Sequence, residues 1–282
     1  MNRTILPLAA AGLLLLAASG CGAQQTAAGP PPSDAREVVE ATDSGPSTEE
    51  DAVAQAVLDR SREGYAEGEC PAEGHLILDA SEGESDTLVV YALCSTGNYS
   101  FVSGRFEEVS GSGAIPSRLT FALGGDGFLS LTDYWEPEDG SGYADSILRI
   151  FPPALQAEAL DAEGSYPALK TQKEAYARAY LKDVDREAEV GDYSDFDHPL
   201  AVDQGMSPAV ADALAERMAD FPFFLGTWER LEDGIRWVYE TDWSPHDDGG
   251  DATYTKYNYE TGETAERHTF LVTGNEFTEQ KA

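Results

Sequence analysis

Four histidines, three cysteines and an abundance of carboxylates are the residues of this chain with chemistry to offer. Zinc hydrolysis needs clustered neutral imidazoles beside a carboxylate base, as H-E-x-x-H provides on one helix face. His75, His198, His246 and His268 are scattered, and no two stand four apart. Neither G-x-S-x-G nor S-x-x-K occurs, so no serine is marked as an activated nucleophile. A glycine-rich phosphate loop with its lysine is missing too. Asp192, Asp195 and Asp197 lie close together, as do Asp247, Asp248 and Asp251, and calcium favours several carboxylates in one flexible loop. Neither group follows the EF-hand order, and among 52 acids such runs arise without a metal. Glu136 and Glu138 stand beside Trp135, a company that suits a sugar ring. The plainer reading is a turn that ends a strand and starts a helix. The expectation is therefore no catalytic residue, no metal and no cofactor.

Aromatic residues offer recognition instead. Along 235–243, Ile235, Trp237, Tyr239, Thr241 and Trp243 share one face at a period of two. That face is either core beneath the helix that starts at Pro208 or an exposed platform for a glycan or peptide. Core is the default, because the helix carries an apolar stripe that needs a partner. Trp135, Trp237, Tyr239 and Trp243 make up the candidate ligand surface.

The cysteines divide by position. Arg3 precedes an apolar run from Ile5 to Ala18, and Ser19 and Gly20 lead into Cys21. These are the charged, greasy and small-residue parts of a secretory signal. The run is shorter than the roughly 20 apolar residues a membrane-spanning helix needs, and it carries Pro7. Ala18-Ser19-Gly20-Cys21 resembles the lipobox of bacterial lipoproteins, with Ala18 where leucine is usual. The resemblance implies removal of residues 1–20 and lipidation of Cys21. Residues 21–46, rich in Gly, Pro, Ala, Ser and acids, have little to bury and are expected to be disordered. A tether of about 26 residues spans roughly 30 Å as a random coil. Cys70 and Cys94 remain. In an exported protein such a pair reads as one disulfide, and a hairpin between the first two strands could join them. Two buried free thiols are the alternative.

Charge narrows the partners. The chain carries 18 Lys+Arg against 52 Asp+Glu, a net charge of −34. Such a surface repels phosphate backbones, which excludes nucleic acid, and it repels anionic headgroups. The membrane contact is thus expected through the lipid alone, and the ligand is an extracytoplasmic protein or glycan.

The positioning elements follow from periodicity. The string Ser47-Thr48-Glu49-Glu50 reads as a capping box before a helix with apolar Ala52, Val53, Ala56, Val57 and Tyr65. β-type segments follow at 75–80, 87–94, 99–109, 117–124 and 128–135, with breaks too short for crossover helices. Helical patterns return at 143–151, 153–160 and 166–182, the last with Leu169, Tyr176 and Tyr180 at near-helical spacing. Residues 183–206 have the composition of an acidic linker. Ser207 and Pro208 then open a helix with a Val210, Leu214, Met218 and Phe221 stripe. Strands are expected at 223–231, 235–243, 252–260 and 264–272, with a short one near Phe277. The fold class is α+β, in two modules (47–182 and 207–282), each a helix followed by an antiparallel meander.

The first module has a likeness. The order EGYAEGEC, HLILDA, LVVYALC, FVSGRFEEVSGSG, PSRLTFAL and above all LTDYWEPEDGSGYADSILRIFP resembles the extracytoplasmic C-terminal region of transmembrane metallopeptidases of the β-lactam-sensor (antirepressor) class in Firmicutes. The likeness covers residues 52–182, about half the chain. Their membrane helices, zinc motif and acylatable serine are missing here, so the resemblance implies only a surface module for sensing or binding. The resulting expectation is a non-enzymatic surface lipoprotein with ligand- or partner-binding modules, serving envelope sensing. An extracellular hydrolase of glycan or cell-wall material, using an Asp/Glu pair, is the other class.

Overall fold

The computed structural model describes residues 45–64, 68–125 and 127–281. The signal sequence, Cys21, most of the tether and Tyr65 lie outside them. Among the described residues no helix is long and apolar enough to cross a membrane. Helix α1 (Glu49–Gly64) opens one residue later than the Ser47 box predicts. Thr48 is the cap, since its Oγ1 accepts the Asp51 amide at 3.1 Å and donates to the Asp51 carboxylate at 2.6 Å. Glu50 turns away from the cap and reaches His75 Nε2 at 2.9 Å.

Strands β1 (Cys70–Glu82), β2 (Thr87–Val102), β3 (Arg105–Gly111), β4 (Ile115–Leu123) and β5 (Leu129–Trp135) follow α1. β2 is their spine. One edge pairs with β1 along most of its length. The other edge pairs with β4 over Thr87–Cys94 and with β3 over Gly97–Val102. The expected break at Ser95-Thr96-Gly97-Asn98 does not exist. These polar residues stay in a buried strand because each is satisfied: Ser95 Oγ donates to Ser112 O, the Thr96 amide to Ser112 Oγ, and Asn98 Nδ2 to Ser61. The turn falls instead at Ser103-Gly104, inside the segment read as one strand, with φ of +48° and +79°. Two successive positive φ values are the hairpin geometry whose twist matches the flanking strands.

Both faces of β2 are covered, which explains its nearly continuous burial. On one face Val53 and Val57 of α1 pack on Val90, Ala92, Leu119 and Phe121. After α2 (Tyr143–Ile150) and α3 (Gln156–Leu160), helix α4 (Tyr166–Asp183) packs on the other face. Its buried stripe is Leu169, Lys173, Ala177 and Leu181. Tyr176 and Tyr180, expected in that stripe, flank it half-buried, and a lysine occupies its middle.

The Cys70–Cys94 disulfide expected from the sequence is not formed, and both cysteines are buried free thiols. Register explains why. Cys70 lies opposite Tyr99 while Cys94 lies opposite His75, so the two are offset by five residues, about 16 Å along the ladder. An odd offset also places them on opposite faces. A bridge needs Cα atoms within about 7 Å.

The acidic segment at 183–206 is not an exposed linker. Residues Val190–Asp192 form β6, parallel to β3, and His198 reaches the buried Glu107 at 2.6 Å. Helix α5 (Pro208–Arg217) then leads to β7 (Gly226–Glu232), β8 (Ile235–His246), β9 (Gly249–Asn258), β10 (Thr264–Thr273) and β11 (Glu276–Glu279). This half follows the expected pattern closely. Val210, Leu214, Met218 and Phe221 pack on Trp243, Ala252, Tyr254, Phe270 and Val272. Ser207 Oγ donates to Asn275 Oδ1, so it ties the helix start to the last hairpin instead of capping α5. The fold is a mixture of helices and antiparallel sheet, with β6 its parallel exception. Val102 pairs with Trp228, so both meanders belong to one 11-stranded sheet.

Candidate functional site: an aromatic groove beside a cation ladder

α5 is only ten residues long, so it covers part of the β8–β9–β10 face and leaves the rest open. Register assembles that open part. Trp228 lies opposite Tyr239, and Tyr239 opposite Lys256, in one row across β7, β8 and β9. Arg230 lies opposite Trp237 in the next row. Alternation along each strand puts all five side chains on one face. Cations and rings interleave there. The Arg230 guanidinium sits 4.4 Å from the Trp228 ring centre and 5.1 Å from that of Tyr239. Lys256 Nζ lies 4.7 Å from the Tyr239 ring and 5.0 Å from that of Trp237. Such contacts contribute about 0.5–1 kcal/mol each where solvent is near. Glu232 closes the ladder, accepting from Tyr239 Oη and from Lys256 Nζ at 2.9 Å.

A groove of about 620 Å³ adjoins the ladder, lined by Leu200, Met218, Phe221, Phe223, Trp228 and Arg230 among others. That volume is in the range of small-molecule sites. Phe223 is 66% exposed, unusual for a phenylalanine, and its ring meets Phe224 edge-on at 5.5 Å. Asp212 of α5 stands exposed beside the groove, while Asp242 alternates to the opposite face of β8. Among the described residues most arginines meet a carboxylate, as Arg118 meets Asp133 at 2.7 Å. Among the described residues Arg230, half-buried, makes no such ion pair, although its charge acts on Glu232 at longer range, and neither does Arg267 on the opposite face of the sheet.

The aromatic residues singled out by sequence separate. Trp243 and Tyr239 are core, 4% and 3% exposed, and the Trp243 indole N–H donates to Gln204 O. Trp237 is half-buried at the open end. Trp135 belongs to a different cluster, 6.2 Å from Phe151, far along the chain and on another part of the sheet. Its neighbours Glu136 and Glu138 are bound by Arg60 and Arg149 at 2.9 and 2.7 Å. The residues sequence reading missed are Trp228, Arg230 and Lys256. Trp228 and Arg230 alternate in GTWERLE as Trp237 and Tyr239 do in β8, which was a usable signal. Only the pairing register could add Lys256.

Carboxyl groups with raised proton affinity lie elsewhere. Burial pushes Glu108 up to about 7 against the opposing charge of Lys173, whose Nζ is 2.7 Å from its Oε2. Gly97 and Gly111 make room for that carboxyl, since a Cβ on either would collide with it. Burial also raises Glu107, opposed by His198, and Glu69, opposed by Arg236. Arg186 and Arg236 bind Glu229 at 2.6 and 3.2 Å and lie over the Phe101 ring, joining β7 and β8 to β2. None of Glu69, Glu107 and Glu108 lines the groove. The aspartate groups are tied locally: Asp192 and Asp195 to Lys170, and Asp251 to His246. Among the described residues no three His, Cys, Asp or Glu side chains converge as a metal site. Comparison of the chain with protein-family models, with curated proteins and with solved structures finds no match in any of the three.

Proposed function

We propose that the protein is a non-enzymatic, lipid-anchored binding protein of the cell surface, held by Cys21 and presenting its folded part outside the cytoplasm in an envelope-sensing role. In this reading residues 1–20 are a signal peptide, residues 21–46 a tether, and each helix-plus-meander half is a module of one binding body. One observation carries the binding assignment. The groove is walled by phenylalanine, methionine and tryptophan with one guanidinium, while none of the carboxyls with a raised proton affinity lines it and each is held by a cation. Acid–base chemistry needs such a group within reach of the substrate; recognition needs an apolar wall and a few oriented polar atoms.

The hydrolase alternative makes an opposite demand. Purified protein would release new reducing ends from cell-wall glycan, and a single Glu→Gln change would abolish the release. Absence of turnover over a long incubation, together with saturable binding that falls when Phe223 is replaced by serine, is the expected result. Turnover that survives in Phe223→Ser would overturn the proposal.

A further inference from the structure

We infer that the groove takes a single-chain amphiphile with a carboxylate head, and that Arg230 is the residue that recognises the carboxylate. The inference rests on the binding role proposed above and adds the ligand's chemistry. In a chain with 52 acids and 18 bases, a half-buried arginine is expected to collect a carboxylate. Glu232, two residues along the same strand face, is the obvious partner, yet it is committed to Lys256 and Tyr239. Arg230 is held instead against the Trp228 and Tyr239 rings. A guanidinium packed on rings keeps its N–H donors in its own plane, where a carboxylate can be bound by two parallel hydrogen bonds. The walls beyond it are Met218, Phe221, Leu200 and the exposed Phe223. Apolar length and a terminal anion are therefore complementary to two adjoining parts of one groove. Asp212 beside the groove opposes a second negative charge, which favours a singly charged head over a phosphate.

The test uses the full chain carrying Cys21→Ala, purified without detergent. Decanoate, decyl glucoside and decyltrimethylammonium, each below its micelle concentration, are titrated by calorimetry at pH 7. Decanoate is expected to bind tightest. Arg230→Gln is expected to weaken decanoate about tenfold and leave decyl glucoside unchanged, while Phe223→Ser weakens both. Should the Gln variant fail to fold, Arg230→Lys keeps the charge without the planar fork and is expected to weaken decanoate as well. Equal decanoate affinity in wild type and folded Arg230 variants overturns the assignment. So does tighter binding of the cationic probe, which would give Asp212 the leading role. Decyl glucoside binding that depends on Phe223, without preference for decanoate, sinks the carboxylate inference and leaves the groove a binding site. No binding by any probe sinks both.

Discussion

Glu108→Gln tests whether burial really governs the polar centre under α4. In the folded protein the Glu108 carboxyl is raised from 4.5 to about 7, first by burial, with Lys173 opposing. A carboxyl that holds its proton more tightly in the folded state favours folding at low pH. That advantage disappears as pH rises from the unfolded value through the folded one, because the unfolded chain then binds fewer protons. Each unit is worth about 1.4 kcal/mol; integrating both titrations between pH 5 and pH 8 gives a loss of about 2–3 kcal/mol from this one group. Glutamine has nearly the size of the neutral acid and cannot ionise. The variant should therefore match wild type near pH 5 and gain on it steadily, ending about 2–3 kcal/mol ahead, relative to that starting point, at pH 8. Urea unfolding followed by tryptophan fluorescence at half-unit pH steps measures the difference directly. Because every other group is shared by the two proteins, their unrelated titrations cancel. A stability difference that stays flat from pH 5 to pH 8 would refute the reasoning, and a fall would reverse its sign.

Burial pushes the Cys70 and Cys94 thiols up to about 12. Both should thus resist a thiol reagent in the folded protein and react fully in denaturant without reductant; a mass two units lower, with no free thiol, would contradict the register. Trp243→Ala should cost about 3–5 kcal/mol, as truncation of a buried aromatic does, and Trp237→Ala clearly less, because one side of that ring is open; equal costs in chemical denaturation would mean the open end is core. Cys21→Ala should move the protein from the membrane to the soluble fraction, and continued sedimentation with membranes would refute the anchor. The groove predicts that Arg230 and Phe223 variants separate charge recognition from apolar binding in the amphiphile titrations described above.

Local patterns in the chain were enough for much of the second half. Pro208 at the first helical position with the Val210, Leu214, Met218 and Phe221 stripe identifies α5, and Asp233-Gly234 and Thr261-Gly262 identify hairpin turns, because a proline's fixed φ, periodicity and positive φ are properties of a few neighbouring residues. The Ser103-Gly104 turn carries the same kind of local signal, a glycine with positive φ, inside a segment whose β-type residues run on either side of it. Ser95–Asn98 could not be placed this way, since their polar side chains are tolerated in β2 only because Ser61 and Ser112 arrive from other elements.

The amino-acid order alone determines the acidic balance, the short apolar leader ending at Cys21, the α+β alternation and the residues that face together along each strand. Tertiary structure decided what periodicity cannot encode, namely which strand lies beside which and with what offset. That offset parts Cys70 from Cys94 and sets Arg230 among Trp228, Trp237 and Tyr239, while the packing of α4 on the sheet puts Lys173 over Glu108. A hydrogen-bonded ladder repeats every two residues whatever its side chains, so its register is chosen by the packing of both faces at once, and only the folded chain contains both faces.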